Sequence, residues 1–130
     1  MGKIMKNGIE YGATSYENLI KVYTLTPNTE YVDAGNFQGS AVVIGKTAIV
    51  TLNNVAFKKS TAANGTLLFT GAPRTGGNWV FGLPAEKGNQ KPMRLRIETD
   101  GKIYTHWSDT PATGDVSNIQ YSVTTTYQIP

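Results

Sequence analysis

Residues 40–52 read SAVVIGKTAIVTL, two apolar runs around Gly45-Lys46. Glycine at the first central position of a two-residue loop permits the type II′ turn, whose twist matches that of paired strands. The stretch is therefore predicted to be a β-hairpin. With that loop, Ala41, Val43, Ala48, Val50 and Leu52 share one face and Val42, Ile44, Thr47, Ile49 and Thr51 share the other, because successive side chains alternate. Both faces are largely apolar. One fills a core. The other wants cover, from another part of the same chain or from a second subunit, which makes Val42, Ile44 and Ile49 candidate interface residues.

Working outward, residues 93–107 (MRLRIETDGKIYTHW) form a second hairpin with two competing registers. A two-residue Asp100-Gly101 turn mixes apolar and charged groups on both faces. A three-residue loop of Thr99, Asp100 and Gly101, with Gly101 left-handed in a G1 bulge, places Met93, Leu95, Ile97, Ile103, Thr105 and Trp107 together. Arg94, Arg96, Glu98, Tyr104 and His106 then share the opposite face. This second register is preferred, since it separates an apolar from a polar face as a half-exposed antiparallel sheet requires. At the C-terminal end, Ile119, Tyr121, Val123, Thr125, Tyr127 and Ile129 alternate with polar residues, the pattern of a strand.

Shorter strands are read at 19–25 (LIKVYTL, closed by a turn at Thr26-Pro27-Asn28), 55–57, 66–69 and 78–83, joined by Gly- and Pro-bearing loops. Residues 1–18 are too sparse in apolar groups for a helix or long strand and are read as an extended N-terminal arm. The whole is predicted to be all-β: one antiparallel β-sandwich or jelly-roll domain over 19–130, preceded by the arm. A length of 130 residues suits one domain, and 14 Gly, seven Tyr and only 16% charged residues fit a β protein.

Composition also excludes functions. The net charge is +3, with twelve basic residues scattered along the chain, so the footprint of a nucleic-acid binder is missing. No stretch approaches the roughly 20 apolar residues of a membrane span, and residues 1–12 have no signal-peptide core, so synthesis in the cytoplasm without export is expected. Without cysteine there is no thiolate nucleophile and no cysteine-bound zinc. His106 is the only histidine, so any triad would have to use it, and no metal or other cofactor is expected. The aspartates, among them Asp100 beside Gly101 and Asp109 near Pro111, are read as turn residues. Residues 71–77 (GAPRTGG) lack the Gly-Lys-Ser/Thr of a phosphate loop and are read as a plain connection.

Two groups of residues can carry binding. The outward cluster of Arg94, Arg96, Tyr104 and His106, with the nearby Asp109, suits a saccharide or an anionic polymer unit, because guanidinium forks and aromatic edges recognise such ligands. A solvated face is the plainer reading. Trp79 and Trp107 are either core anchors or stacking platforms for sugar rings. Alternation with Met93 and Ile97 assigns Trp107 to the core, while Trp79 joins the candidate ligand residues.

The opening MGKIMKNGIEYG resembles the start of small tail-module proteins of phages and prophages. From about residue 39 to 127, GSAVVIGKTAIVTLNNVAF, GTLLFTGAP, MRLRIETDGKI and IQYSVTTTY are similar to the β-sandwich head domains of phage tail fibres and receptor-binding proteins. The resemblance implies a homotrimer of heads on a virion, attached through the N-terminal segment to other tail or baseplate proteins and contacting host cell-surface saccharide. The departure is length, since such proteins carry a longer shoulder or stalk before the head. The expected function is thus a non-enzymatic phage tail component, either host-binding or structural. The alternative is a free, monomeric carbohydrate-binding module.

Overall fold

The computed structural model of the chain describes residues 4–6, 9–11, 20–87, 93–107 and 120–130. Every regular element among them is a strand, as expected. The hairpin at the centre of the sequence reading consists of β5 (Gln38–Ile44) and β6 (Thr47–Val55). Ile44 pairs with Thr47, leaving Gly45-Lys46 as the loop, and Gly45 alone of the two takes a positive φ, 63°, as a type II′ turn requires. Ala41, Val43, Ala48, Val50 and Leu52 are all buried, while Ile44 is exposed and Val42 and Ile49 are half-covered. The face assignment follows directly from the two-residue loop.

β6 runs on through Val55, so the separate strand expected at 55–57 is an extension of it, and Phe57 makes only an isolated bridge to Val32. A bulge near its end explains why the pattern breaks there. Asn54 takes a φ of 57°, the register against β12 (Gln120–Gln128) shifts between Tyr121 and Val123, and Asn54 N–H donates to Ser122 Oγ at 3.1 Å. Asparagine adopts this left-handed backbone more readily than most residues, and its side chain here accepts from Gln120 Nε2 on the neighbouring strand.

Before this hairpin come β1 (Ile4–Lys6), β2 (Ile9–Tyr11), β3 (Ile20–Tyr23) and β4 (Thr26–Pro27). Between it and β12 lie β7 (Leu67–Thr70), β8 (Trp79–Leu83), β9 (Ala85–Lys87), β10 (Met93–Ile97) and β11 (Ile103–Thr105). One five-stranded sheet has the order β4-β7-β11-β10-β8, and the other β3-β5-β6-β12-β9; every pairing is antiparallel. Both main hairpins stay within one sheet, so the observed architecture is the β-sandwich. Pro27 sits in an edge strand rather than in the expected turn, which falls just after it, where Tyr31 and Val32 N–H groups donate to Asn28 O. An edge position suits proline, which has no N–H to give a second neighbour.

A single core lies between the sheets, with Leu52, Val50 and Tyr121 from one and Phe69, Leu83, Leu95, Ile97 and Ile103 from the other. Each fully buried aliphatic side chain contributes about 1.5–3 kcal/mol. Aromatic contacts extend this core, Phe37 to Phe69 at 4.9 Å and Phe57 edge-on to Tyr121 at 5.9 Å.

The β10–β11 hairpin has the three-residue loop predicted for it. Ile97 pairs with Ile103, Glu98 and Lys102 close the ladder, and Gly101 is left-handed at φ 83°. Met93, Leu95, Ile97, Ile103 and Thr105 are buried. Trp107 is the exception and corrects the expectation of a core residue: it is 63% exposed. The last rung of the ladder is His106 N–H to Arg94 O at 2.9 Å; at Trp107 the backbone turns to φ 45°, which carries the indole off the inner face.

Residues 1–18, read as an extended arm, contain a feature that their sparse apolar content hides. Ile4, Met5 and Lys6 pair with Tyr11, Glu10 and Ile9, enclosing Asn7-Gly8 in sequence. Asn-Gly is the strongest short-range hairpin dipeptide. This two-stranded ladder is hydrogen-bonded to neither five-stranded sheet.

β12 shows the alternation expected of it: Tyr121, Thr125 and Tyr127 are buried, while Thr124, Thr126 and Gln128 are exposed; Ile119 lies outside the described residues. The Tyr121 hydroxyl is buried without a hydrogen-bond partner among the described residues, whereas Tyr127 donates to Pro73 O at 2.6 Å. Burial pushes the Tyr121 phenol up to about 12, and burial together with Tyr23 raises that of Tyr127. A phenol with a raised folded-state value contributes stability that is complete below its unfolded value of about 10 and is lost as pH climbs through the folded one. Thermal melts at stepped pH are therefore expected to show Tm falling between about pH 10 and 12. The Tyr121→Phe/Tyr127→Phe double variant flattens that fall. At neutral pH, Tyr121→Phe alone leaves Tm unchanged or raises it, because it deletes an unpaired buried hydroxyl.

Candidate functional site

Arg94 and Arg96 stand on β10, Tyr104 on β11 and His106 one residue beyond it, all on the outer face of their sheet as the register predicts. Asp109 lies outside the described residues. Arg96 is mostly buried, its side chain 14% exposed, and it is a hub of internal bonds. Its Nε donates to Glu98 Oε2 at 2.9 Å, and its Nη1 donates to Asn64 Oδ1 at 2.7 Å and to Thr105 O at 3.0 Å. The guanidinium lies 5.2 Å from the centre of the Tyr104 ring, and His106 Nδ1 is 3.4 Å from Nη1. These bonds fasten the 60–66 loop, through Asn64, to the β10–β11 hairpin. Arg94 is exposed and donates to Trp107 O at 2.6 Å, holding the backbone where it leaves the ladder. His106 lies below its ordinary value because of desolvation and because Arg96 and Arg94 oppose a third positive charge, so its imidazole is neutral at pH 7. What this face presents outward is Arg94, the Tyr104 and His106 rings and Trp107.

Trp79 is not part of that cluster. It pairs with Ile97 in the ladder and shares the inner face of β8 with Phe81 and Leu83, but at the open edge of the sandwich, where β8 meets β12 of the opposite sheet. Its Nε1–H donates to Thr125 Oγ1 at 2.8 Å, and its ring centre lies 6.2 Å from that of Tyr127. Yet it remains 39% exposed, where Phe81 and Leu83 are 8% and 0%. The exposed part opens on a cleft of about 360 Å³ between Trp79, Tyr127 and Gln128 on one side and the 75–78 loop on the other. An adjoining cavity of about 230 Å³ is bounded by Tyr23, Arg74, Ile129 and Pro130. Reading 71–77 as a plain connection misses this cleft, because only the approach of two sheet edges turns the loop into a wall.

The third feature is the outer face of the other sheet. Val22 pairs with Val42, Val42 with Ile49, and Ile20 with Ile44, so the apolar side chains form a continuous strip across β3, β5 and β6. Val22 is 83% exposed and Ile44 49%. Across β12 the same face becomes polar, with Thr51 and Thr124 hydroxyls bonded at 3.0 Å. The candidate interface residues Val42, Ile44 and Ile49 thus share one surface. Val22 extends it, a residue that the sequence assigns to a strand but to neither face.

No protein-family model and no curated protein matches this chain. The chemistry available is thus to be read from the side chains themselves. No helix of the described residues is long and apolar enough to cross a membrane. Among the described residues no three His, Asp or Glu side chains are grouped to hold a metal. What the described surface offers is aromatic area held in place, amide and guanidinium donors, and an apolar strip.

Proposed function

We propose that this chain is a non-enzymatic tail component of a phage or prophage, assembling as a homotrimer and binding a host cell-surface saccharide. The observation that carries the reading is the apolar strip of Val22, Val42, Ile44 and Ile49 on the outside of a sandwich whose core is already closed. A contiguous apolar patch on a soluble domain marks an interaction surface. A second copy of the same chain meets the need, because every copy carries the same patch. The three-fold symmetry, the place in the virion and the docking of the N-terminal segment onto other tail or baseplate proteins come from the resemblance of the hairpin pattern to phage tail heads.

Light scattering coupled to size-exclusion chromatography tests the reading. A mass three times the 14.1 kDa of one chain is expected. The Val42→Lys/Ile44→Glu double variant is expected to run as a monomer with an unchanged circular-dichroism spectrum. A wild-type chain of 14.1 kDa at all concentrations overturns the assembly. That outcome promotes a second reading, a free carbohydrate-binding module, which the half-exposed Trp79 favours.

A further inference from the structure

We infer that the cleft between the 75–78 loop and β12 is a binding site for one neutral pyranose ring, stacked on Trp79, and that the Arg94–His106 face is not. The inference rests on the saccharide-binding reading above and gives it a location and a ligand class.

The indole carries the argument. Alternation along β8 puts Trp79 on the inner face, where its neighbours are buried, yet two-fifths of it is left to solvent. It is also fixed in place: the backbone belongs to a ladder strand, Nε1 is tied to Thr125 Oγ1, and Tyr127 flanks the ring. An aromatic surface that is already ordered loses little side-chain entropy when a ligand covers it. Amphipathic rings with apolar axial C–H faces and equatorial hydroxyls suit such a surface, because the C–H face covers the indole while the hydroxyls need polar partners at the rim.

The rim provides them. The Asn78 amide makes no hydrogen bond with any described residue and can both donate and accept. The wall opposite is bare backbone, since a Cβ built at Gly76 or Gly77 meets nothing within 4 Å. At about 360 Å³ the cleft falls at the lower end of small-ligand sites, roughly 300–1,000 Å³, which suits a single ring rather than a long chain. Neutrality follows from the lining, in which no described residue is charged. Arg74 faces the adjoining cavity instead. On the other sheet face, Arg96 spends Nε on the Glu98 carboxylate and Nη1 on Asn64 and Thr105, so its charge is already paired and the two-pronged fork that an anionic ligand needs is broken up.

The test is a titration of the ¹⁵N-labelled full chain with the methyl glycosides of glucose, galactose, mannose and N-acetylglucosamine, and with glucuronate. The reporter is the Trp79 indole N–H resonance, identified by its loss in Trp79→Phe. At least one neutral glycoside is expected to shift it saturably by about 50 mM, as a millimolar single-ring site requires, with the Trp107 indole unmoved. Because Trp79 also closes the sandwich edge, the decisive variant is Gly77→Leu, in the cleft wall at a position where an added Cβ meets nothing within 4 Å. It is expected to weaken binding at least about tenfold with Tm preserved. Absence of any shift, a shift confined to Trp107, or tighter binding of glucuronate overturns the inference. The two readings fail separately: a monomer with a saturable Trp79 shift removes the trimer and keeps the cleft, and a trimer without a shift does the reverse.

Discussion

Gly101→Ala is expected to lower stability by about 3–4 kcal/mol, and Gly71→Ala by a similar amount, each dropping Tm by roughly 10–15 °C. Both residues lie in the left-handed region, at φ 83° and 95°. A side chain there costs about 1–2 kcal/mol from backbone sterics alone. The larger part is contact. A Cβ on Gly101 would sit 2.0 Å from Ala72 O and 3.0 Å from its carbonyl carbon; on Gly71 it would sit 2.1 Å from Thr24 O. Neither neighbour is the flexible end of a side chain, so backbone must move, and overpacking of that kind costs about 1–3 kcal/mol more. The two contacts are structurally central. Gly101 seats the β10–β11 loop on the chain leaving β7, with Ala72 N–H donating to Gly101 O at 3.2 Å, and Gly71 seats that same segment on the β3–β4 connection. Gly45→Ala is the control, because its φ of 63° is also left-handed but nothing lies within 4 Å of the added carbon. It should cost only about 1–2 kcal/mol. Denaturant melts followed by circular dichroism compare the three; equal losses at Gly45 and Gly101 would refute the steric account.

Those glycines also mark how far the sequence can be read. Gly45 and Gly101 fix the lengths of two loops, and a loop length fixes a register, so the facing residues of both hairpins follow from local information. The same holds for β12 from Thr124 to Gln128, where exposed and buried residues alternate, while beside the bulge Ser122 and Val123 are both half-buried. Features made by distant segments were not legible. Trp107 belongs to the apolar face by counting, yet the ladder ends one residue before it and Arg94 holds the departing backbone. The Asn54 bulge breaks the alternation of β6 only because Ser122 and Gln120 lie opposite. The Trp79 cleft needs β8 and β12, from different sheets, to meet at an edge, and no spacing within 71–83 encodes that meeting. Arg96 illustrates the point most fully: its face is predictable from the hairpin, but its partner Asn64 comes from a loop 32 residues away.

That partner decides what Arg96 does. As a strut, Arg96→Met should cost about 2–4 kcal/mol, since hydrogen bonds to a charged group contribute about 1.5–3 kcal/mol each and do not add fully. The loss leaves Asn64 Oδ1 without its donor, takes one donor from Thr105 O, which keeps Gly65 N–H, and removes the Asn64 tie of the 60–66 loop. Arg96→Lys should recover little, because an ammonium cannot span Glu98, Asn64 and Thr105 at once as the planar fork does. Arg94→Ala, at an exposed position, should cost less than about 1 kcal/mol. If Arg96 were instead a ligand-binding group, Arg96→Met would keep its Tm and lose saccharide affinity, the opposite pattern. The sole histidine supplies a second readout. Arg96 is one of the causes holding His106 below its ordinary value, so removing that charge and loosening the loop should move its proton-titration midpoint upward in the variant. A His106 midpoint unmoved by Arg96→Met would mean that the guanidinium lies farther from the ring than 3.4 Å in solution, and that the hub does not hold this face together.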